Sequence, residues 1–183
     1  NIDDVNSFNE NHVNKKYFPD KKLNENIRAT DKLDQIFNNK YVVNAIPTQA
    51  VRSVFEKSKD FFDNNIIINL SKGLELNTHL RISQIIGQMD DSLRYAIISV
   101  PSHAEEVIEE VPTAVVCACE DISIAEEIQN MFIREYFRVY TSTDVIGVEL
   151  GGSIKNILAF GIGMATGLKF GDNSKAALIT RGI

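Results

Sequence analysis

The amino-acid sequence predicts an α/β fold, with a parallel sheet covered by helices and then a segment that is entirely helical. From Lys40 onward, short apolar runs alternate with stretches of helical periodicity, which is the signature of a parallel α/β sheet. The apolar runs are nearly continuous in Val, Ile and Ala, as expected when helices cover both faces of a sheet. After Thr143 the strand-like runs stop, so the sheet is expected to end there.

The elements follow in a regular order along the chain. Residues 1–26 are rich in Asn, Lys and Asp, which predicts an exposed arm or loop. Helices are predicted at about residues 49–62, 77–89 and 124–133. The strand-like runs between them are YVVNAIP, IIINLSKG, YAIISVPS, TAVVCACE and FRVYTST. Parallel strands joined by helices are therefore expected throughout residues 40–143.

The final part of the chain has a different composition. Residues 144–167 predict one long helix punctuated by glycines, and a second helical stretch begins at Asp172. This shift predicts two domains, residues 1–143 and residues 144–183. The last residues, KAALITRGI, keep helical character and have no capping sequence, so we expect the chain to stop within a domain.

Composition and charge narrow the classes of function. A hydrophobic content of 44% is ample for a buried core, and a net charge of −6 argues against general affinity for nucleic acid or anionic membranes. The longest weakly polar stretch, residues 157–168, is shorter than the roughly 20 residues that span a bilayer, so no transmembrane helix is expected. No secretion signal is recognisable, and Cys117 and Cys119 are too close together on one strand for a normal disulfide. A reduced, cytoplasmic protein is the resulting expectation.

Candidate ligand-binding residues lie where the predicted strands end, because ligands of parallel α/β sheets bind beyond the carboxyl ends of the strands. Pro47–Ala50 follows the first run, although a proline often merely ends a strand. Lys72, followed by a glycine, ends the second run and could reach a phosphate or an oxyanion, or could be a solvated loop lysine. Ser102 and His103 end the third, where the histidine is either an acid–base group or a helix cap.

The long predicted helix carries the strongest constellation. At 3.6 residues per turn, Gly152, Lys155, Asn156, Ala159 and Gly163 share one face, so a cation and an amide project from a surface of small residues. Such a face leaves room for a ligand, but it also suits close helix packing with Lys155 extending to solvent. Two lysines together indicate an anionic substrate. No cluster of metal-ligating residues and no nucleophile elbow is recognisable, so no metal is expected.

Longer motifs now carry a family resemblance. The segment GVELGGSIKNILAFGIGMATGLKFGDNSKAALITRG closely resembles the start of the helical domain of the NAD(P)-dependent glycerol-3-phosphate dehydrogenases. Upstream, NKKYFPDKKLNENIRATDKL resembles the family's segment after its second Rossmann strand, and AIPTQAVR, LSKGLE and VPSHAEEV resemble its next motifs in order. The resemblance implies part of a Rossmann-like NAD-binding sheet in residues 1–143 and the start of an all-α C-terminal substrate-binding domain in residues 144–183.

The resemblance also implies roles for individual residues. Lys155 is implied as the catalytic lysine, a proton donor or oxyanion stabiliser at the substrate C2 oxygen, with Asn156 beside it as a substrate-binding residue. Lys72 is implied in binding both substrate and cofactor.

Four further positions are implied along the cofactor. They are Pro47, Ala50, Ser102 and Ala104, where small residues let the nicotinamide and ribose approach closely. Many family members have glycine where this chain has Val100, which puts a backbone contact there in doubt.

Some family motifs are not found. The glycine-rich G-x-G-x-x-G turn that holds the pyrophosphate is expected before residue 1, and the catalytic aspartate and Arg-Asn phosphate clamp are expected after residue 183. Asp172 belongs to a different motif. The resemblance thus implies a segment of a longer cytoplasmic homodimeric enzyme that uses NAD, with NADP as the alternative cofactor.

The implied reaction is hydride transfer between nicotinamide C4 and C2 of glycerol 3-phosphate or dihydroxyacetone phosphate. Two alternatives remain open. One is another dehydrogenase with a Rossmann sheet and a helical second domain that acts on a different hydroxy acid. The other is a non-catalytic homologue or interaction fragment.

Overall fold

The computed structural model describes residues 2–99 and 103–182. The first elements are α1 (Ile2–Asn11), β1 (Val13–Asn14), β2 (Phe18–Lys22) and α2 (Leu33–Phe37). The sheet region contains β3 (Tyr41–Asn44), α3 (Thr48–Ser58) with a 3-10 turn (Lys59–Phe61), β4 (Ile66–Asn69), α4 (Ile82–Gly87), β5 (Arg94–Ser99), α5 (Ala104–Ile108), β6 (Thr113–Cys119), α6 (Ile122–Phe132) and β7 (Phe137–Ser142). Two helices follow, α7 (Val145–Gly167) and α8 (Asp172–Gly182).

The main sheet has five strands in the order β3-β4-β5-β6-β7. Neighbouring strands are parallel except for β5 and β6, which are antiparallel. The predicted α/β class with a mostly parallel, Rossmann-like sheet is confirmed, but the expectation of parallel strands throughout residues 40–143 was wrong at this pair. A parallel crossover must carry the chain back along the full length of the strand. Helix α5 has five residues and is only about 7.5 Å long, whereas the six residues of β5 extend roughly 20 Å. Helix α5 is therefore too short to return the chain for a parallel β6.

The core lies on both faces of the sheet. Ile66 and Ile68 of β4 point into one buried cluster with Val115 and Ile128, whereas Ile67 points into the cluster on the opposite face with Phe55. Successive residues of one strand are therefore buried on alternate sides. Each fully buried isoleucine stabilises the fold by about 1.5–3 kcal/mol, and the continuous apolar runs are explained by burial on both faces.

Two sequence-based expectations need correction. The N-terminal segment, predicted to be an arm or loop, contains α1 and the β1–β2 hairpin. The Asn9 side chain of α1 donates a 3.0 Å hydrogen bond to the Ala29 carbonyl and accepts one of 2.7 Å from the Ala29 amide, which links α1 to the chain near Ala29. The helix predicted at residues 77–89 begins only at Ile82. Asn77 and His79 have positive φ angles of 69° and 57°, which no right-handed helix accommodates.

Helix α7 is the single long helix that the sequence predicts for residues 144–167. The Asp144 side chain caps it by accepting a 2.8 Å hydrogen bond from the Gly147 amide. With 23 residues, α7 is long and apolar enough to cross a bilayer by length and hydropathy alone, although no such helix was expected from the sequence. Its first turns are buried at Val145, Glu149 and Gly152, so this part of α7 packs within the protein.

Candidate active site at the strand ends

The carboxyl ends of β3 and β4 are tied together by side chains that bond to backbone. The Thr48 hydroxyl donates a 2.7 Å hydrogen bond to the Lys72 carbonyl, and the Ser71 hydroxyl donates to the Ile46 carbonyl. These contacts join the loop that holds Pro47 to the loop that holds Lys72. The two strand ends therefore form one continuous rim.

Buried asparagines fix the turn that leads to Lys72. Asn44 donates a 2.7 Å hydrogen bond to the side-chain oxygen of Asn69, which also accepts from the Ser71 amide at 3.1 Å. The Asn69 side-chain nitrogen donates to the Ser71 carbonyl at 2.9 Å. The sequence pattern did not reveal this pair. The available indication was an asparagine at the end of two apolar runs, because a buried polar side chain is stable only when it is hydrogen-bonded.

Helix α7 meets the same rim at its third turn. Gly73, in the left-handed region at φ +117°, donates its amide hydrogen to the Ser153 hydroxyl at 3.2 Å. Gly152 is buried against Ser99, the last residue of β5, and against the aliphatic stem of Lys72. The helix that carries Lys155 is therefore packed directly on the ends of β4 and β5.

Lys72 and Lys155 lie close enough for their charges to interact. Burial lowers the pKa of Lys72, and the charge of Lys155 lowers it further. These are the two lysines that the sequence singles out, and they come from different elements. Two ammonium groups that repel each other at the carboxyl edge of the sheet suit an anionic ligand, which would relieve the repulsion.

The remaining predicted site residues are spread around the rim. Pro47 is exposed, Ala50 is half-buried in the first turn of α3, and Asn156 is exposed on α7. Ala104 is the exposed first residue of α5. Ser102 lies outside the described residues.

Val100, where the sequence departs from many family members, also lies outside the described residues. His103 precedes the first residue of α5 and makes no side-chain capping bond, so the cap suggested for it is not formed.

A cavity of about 670 Å³ opens beside Lys72. Its walls are mostly apolar, including Leu70 and Ile98 near the ends of β4 and β5, and Ala104 lies at its edge. Apolar walls with a few polar groups are typical of cofactor and small-molecule sites. The cavity brings together two of the predicted cofactor-binding residues, Lys72 and Ala104, whereas Lys155 is not among its lining residues.

Glu149 is a second neighbour of the candidate site that the sequence pattern did not reveal. Its carboxylate is buried in α7 and accepts hydrogen bonds from Arg81, Ser83 and Tyr95. The sequence indicates Glu149 only as an acidic residue within an apolar helix, and its hydrogen-bond partners are more than fifty residues away along the chain.

The two cysteines are buried strand residues with free thiols, as the sequence suggested. Burial raises the pKa of Cys117 to about 12 and raises that of Cys119, so both thiols stay protonated and unreactive at neutral pH. Among residues 2–99 and 103–182, no cluster of His, Cys, Asp and Glu could hold a metal ion.

Comparison with known proteins places these features in a family. The model of the NAD-dependent glycerol-3-phosphate dehydrogenase N-terminus matches residues 1–125, and the model of the C-terminus of the same enzymes matches residues 144–183. The chain belongs to the NAD-dependent glycerol-3-phosphate dehydrogenase family. The resemblance seen in the sequence motifs is thereby confirmed.

Individual members of the glycerol-3-phosphate dehydrogenase family are similar over nearly all of this chain. The glycerol-3-phosphate dehydrogenase (NAD(P)+) of Clostridium perfringens is 43% identical over 181 residues, covering 98% of the chain and 55% of the relative. That of Halothermothrix orenii is 47% identical, covering 97% and 52%. The crystal structure of the Coxiella burnetii glycerol-3-phosphate dehydrogenase superimposes with a TM-score of 0.85 at 34% identity, covering 98% and 56%. The chain spans about half the length of the relatives it matches.

Proposed function

We propose that this chain forms part of an oxidoreductase that transfers a hydride between NAD(H) and glycerol 3-phosphate or dihydroxyacetone phosphate. The observation that carries the proposal is the packing of Gly152 of α7 on the aliphatic stem of Lys72, which brings Lys155 near enough for its charge to lower the pKa of Lys72. Lys72 in the wall of a mostly apolar cavity, with a second lysine near it, suits a small anionic substrate next to a nicotinamide ring. The names of the relatives support the same substrate and the same type of reaction.

In this proposal the chain's own residues supply position and charge. When bound, the cofactor supplies or accepts the hydride at nicotinamide C4. Lys155 polarises the C2 carbonyl of dihydroxyacetone phosphate and donates a proton to its oxygen as the alcohol forms. Lys72 binds the substrate anion, and Asn156, adjacent to Lys155 on α7, binds the same molecule.

The cofactor residues of the proposal are Pro47, Ala50, Lys72, Ser102 and Ala104. The mostly apolar cavity at the ends of β4 and β5 fits a nicotinamide ring, and Ala104 has a side chain small enough for close approach. NAD is the proposed cofactor and NADP the alternative, in line with the NAD(P)+ in the names of the relatives.

The proposed domains are a partial NAD-binding Rossmann domain in residues 1–143 and the beginning of a helical substrate-binding domain in residues 144–183. The end of β7 at Ser142 and the start of α7 at Val145 support this boundary. We further propose a cytoplasmic homodimer.

Substrate assays on the full-length protein test the proposal. We expect NADH oxidation with dihydroxyacetone phosphate and at most weak oxidation with 2-keto acids such as pyruvate and oxaloacetate. A preference for a 2-keto acid would favour the rival hydroxy-acid dehydrogenase. NADH binding without turnover of any of these compounds would favour a non-catalytic homologue.

A further inference from the structure

Glu149 accepts four hydrogen bonds from groups outside its own helix. Its Oε1 accepts from the Ser83 amide at 2.9 Å and from the Tyr95 hydroxyl at 2.8 Å. Its Oε2 accepts from Arg81 Nη1 and from the Ser83 hydroxyl, both at 2.6 Å. The donors belong to α4, to the residue that precedes it, and to β5, so one carboxylate joins three elements.

Burial makes this arrangement sensitive to the loss of any partner. The Glu149 side chain is 4% exposed and that of Arg81 is 17% exposed, so the ion pair lies largely outside solvent. A buried charge is tolerated only when it is paired and hydrogen-bonded. Burial and the charge of Glu149 together raise the pKa of Tyr95 well above its usual value, so its hydroxyl keeps the proton that it donates.

Glu149 is connected to the lysine pair through the first turns of α7. Lys155 follows it by six residues, about 9 Å along a rigid helix axis. Between them, Gly152 packs on Ser99 and the Ser153 hydroxyl accepts from the Gly73 amide, next to Lys72. The position of α7 over the sheet therefore determines how closely Lys155 approaches Lys72.

We propose that Glu149 is a positioning residue that holds α7 on α4 and β5 and so sets the separation of Lys155 from Lys72. Its catalytic consequence rests on the proposed function, whereas its effect on the lysine pair does not. Loss of the carboxylate would let α7 move away from α4 and β5 and carry Lys155 away from Lys72, while both lysine side chains remain present.

Replacing Glu149 with Gln in the full-length protein tests this positioning. We expect the pKa of Lys72 to rise toward its ordinary value, because the charge of Lys155 moves away and burial is reduced. The pKa would be measured from the pH dependence of Lys72 acylation by acetic anhydride, quantified by mass spectrometry. Direct loss of a nearby negative charge would instead lower the Lys72 pKa, so the sign separates movement of α7 from simple electrostatics.

Turnover gives the second readout of the same variant. With dihydroxyacetone phosphate, kcat should fall about tenfold to a hundredfold, as for a displaced catalytic group, with little change in KM for NADH. The matched control is Glu127→Gln, which removes an exposed carboxylate of α6 that pairs with Lys40, and it should change neither the Lys72 pKa nor kcat. A folded Glu149→Gln protein with both quantities unchanged would overturn the proposal.

A milder variant keeps the test decisive if Glu149→Gln does not fold. Tyr95→Phe removes one of the four donors and should raise the Lys72 pKa by a smaller amount, whereas an unchanged pKa in that folded variant would overturn the proposal. If the wild-type protein turns over none of the substrates but Glu149→Gln still raises the Lys72 pKa, the proposed function fails and the positioning role stands.

Discussion

Gly152 of α7 lies so close to Ser99 of β5 that a Cβ atom added at Gly152 would stand 2.5 Å from the Ser99 hydroxyl oxygen. Ser99 is fully buried, and its hydroxyl has no hydrogen-bond partner within residues 2–99 and 103–182. Because Gly152 has no side chain, the helix that carries Lys155 can pack directly on the end of β5. Close packing, rather than backbone conformation, is the reason for glycine at this position.

We expect Gly152→Ala to destabilise the protein by about 1–3 kcal/mol, the usual cost of overpacking a buried contact. Urea unfolding would measure the change. The adjacent variant Gly151→Ala is the control, because Gly151 is exposed with no atom near the added Cβ, and alanine there should gain up to about 1 kcal/mol of helix propensity.

Ser99→Ala should relieve much of the cost of Gly152→Ala, because the nearest remaining atoms, the Lys72 Cγ and the Ser99 Cβ, both lie at an ordinary 3.7 Å from the added carbon. A double-mutant cycle should show favourable coupling on the order of 1 kcal/mol. Equal stability of the Gly152→Ala and Gly151→Ala variants would rule out the close contact.

Lys72→Met should stabilise the fold at neutral pH. The pKa of Lys72 is lowered by burial and by the charge of Lys155, so the protonated lysine is less favourable in the folded state than in the unfolded state. The unfolded state therefore binds more protons between the lowered pKa and the ordinary value of 10.5, and wild-type stability rises with pH in that window.

Unfolding free energies from pH 7 upward would check this prediction. The advantage of Lys72→Met should be greatest at pH 7 and shrink as Lys72 loses its proton, because methionine keeps the aliphatic stem that packs near Gly152. An advantage independent of pH would show that hydrophobicity alone, and not the charge of Lys72, is responsible.

Acid sensitivity is expected at the pair formed by Arg52 and Glu75. Arg52 donates to both Glu75 oxygens, at 2.7 and 2.8 Å, and with the Thr78 hydroxyl it lowers the pKa of Glu75 from 4.5 to about 2. The stabilisation is fully present above pH 4.5 and is lost as the pH falls toward 2. The stability difference between wild type and Glu75→Gln should therefore shrink over this range.

Arg52→Met provides the complementary measurement. The Glu75 pKa, followed by NMR of its carboxyl carbon, should rise toward 4.5 once its main donor is removed. A pKa that stays near 2 in Arg52→Met would mean that groups other than Arg52 hold the carboxylate ionised.

Local sequence patterns predicted much of this fold for a physical reason. The isoleucine run of β4 predicts a strand, because a strand buried on both faces has apolar residues at successive positions, and only the terminal asparagine of β4 is polar. Lys155 is recognisable as a candidate site residue because it is a cation on a helix face of small residues. These signals are encoded within a few residues of one another.

Other features depend on contacts between distant segments. The antiparallel direction of β6 follows from the shortness of α5, which the sequence pattern did not reveal. The role of Glu149 requires Arg81 and Tyr95, which lie 68 and 54 residues away in the chain. Periodicity describes one element at a time, so it cannot identify such partners.

We propose that Lys155 meets the substrate oxygen as charge develops in the transition state. The most direct test is kcat for dihydroxyacetone phosphate reduction by full-length Lys155→Ala, with a thermal melt to establish that the variant is folded. We predict a fall in kcat of about a hundredfold or more, with only a modest change in NADH affinity, as for the loss of a preorganised oxyanion donor. A kcat within a few-fold of wild type would contradict the claim and make Lys155 a surface cation.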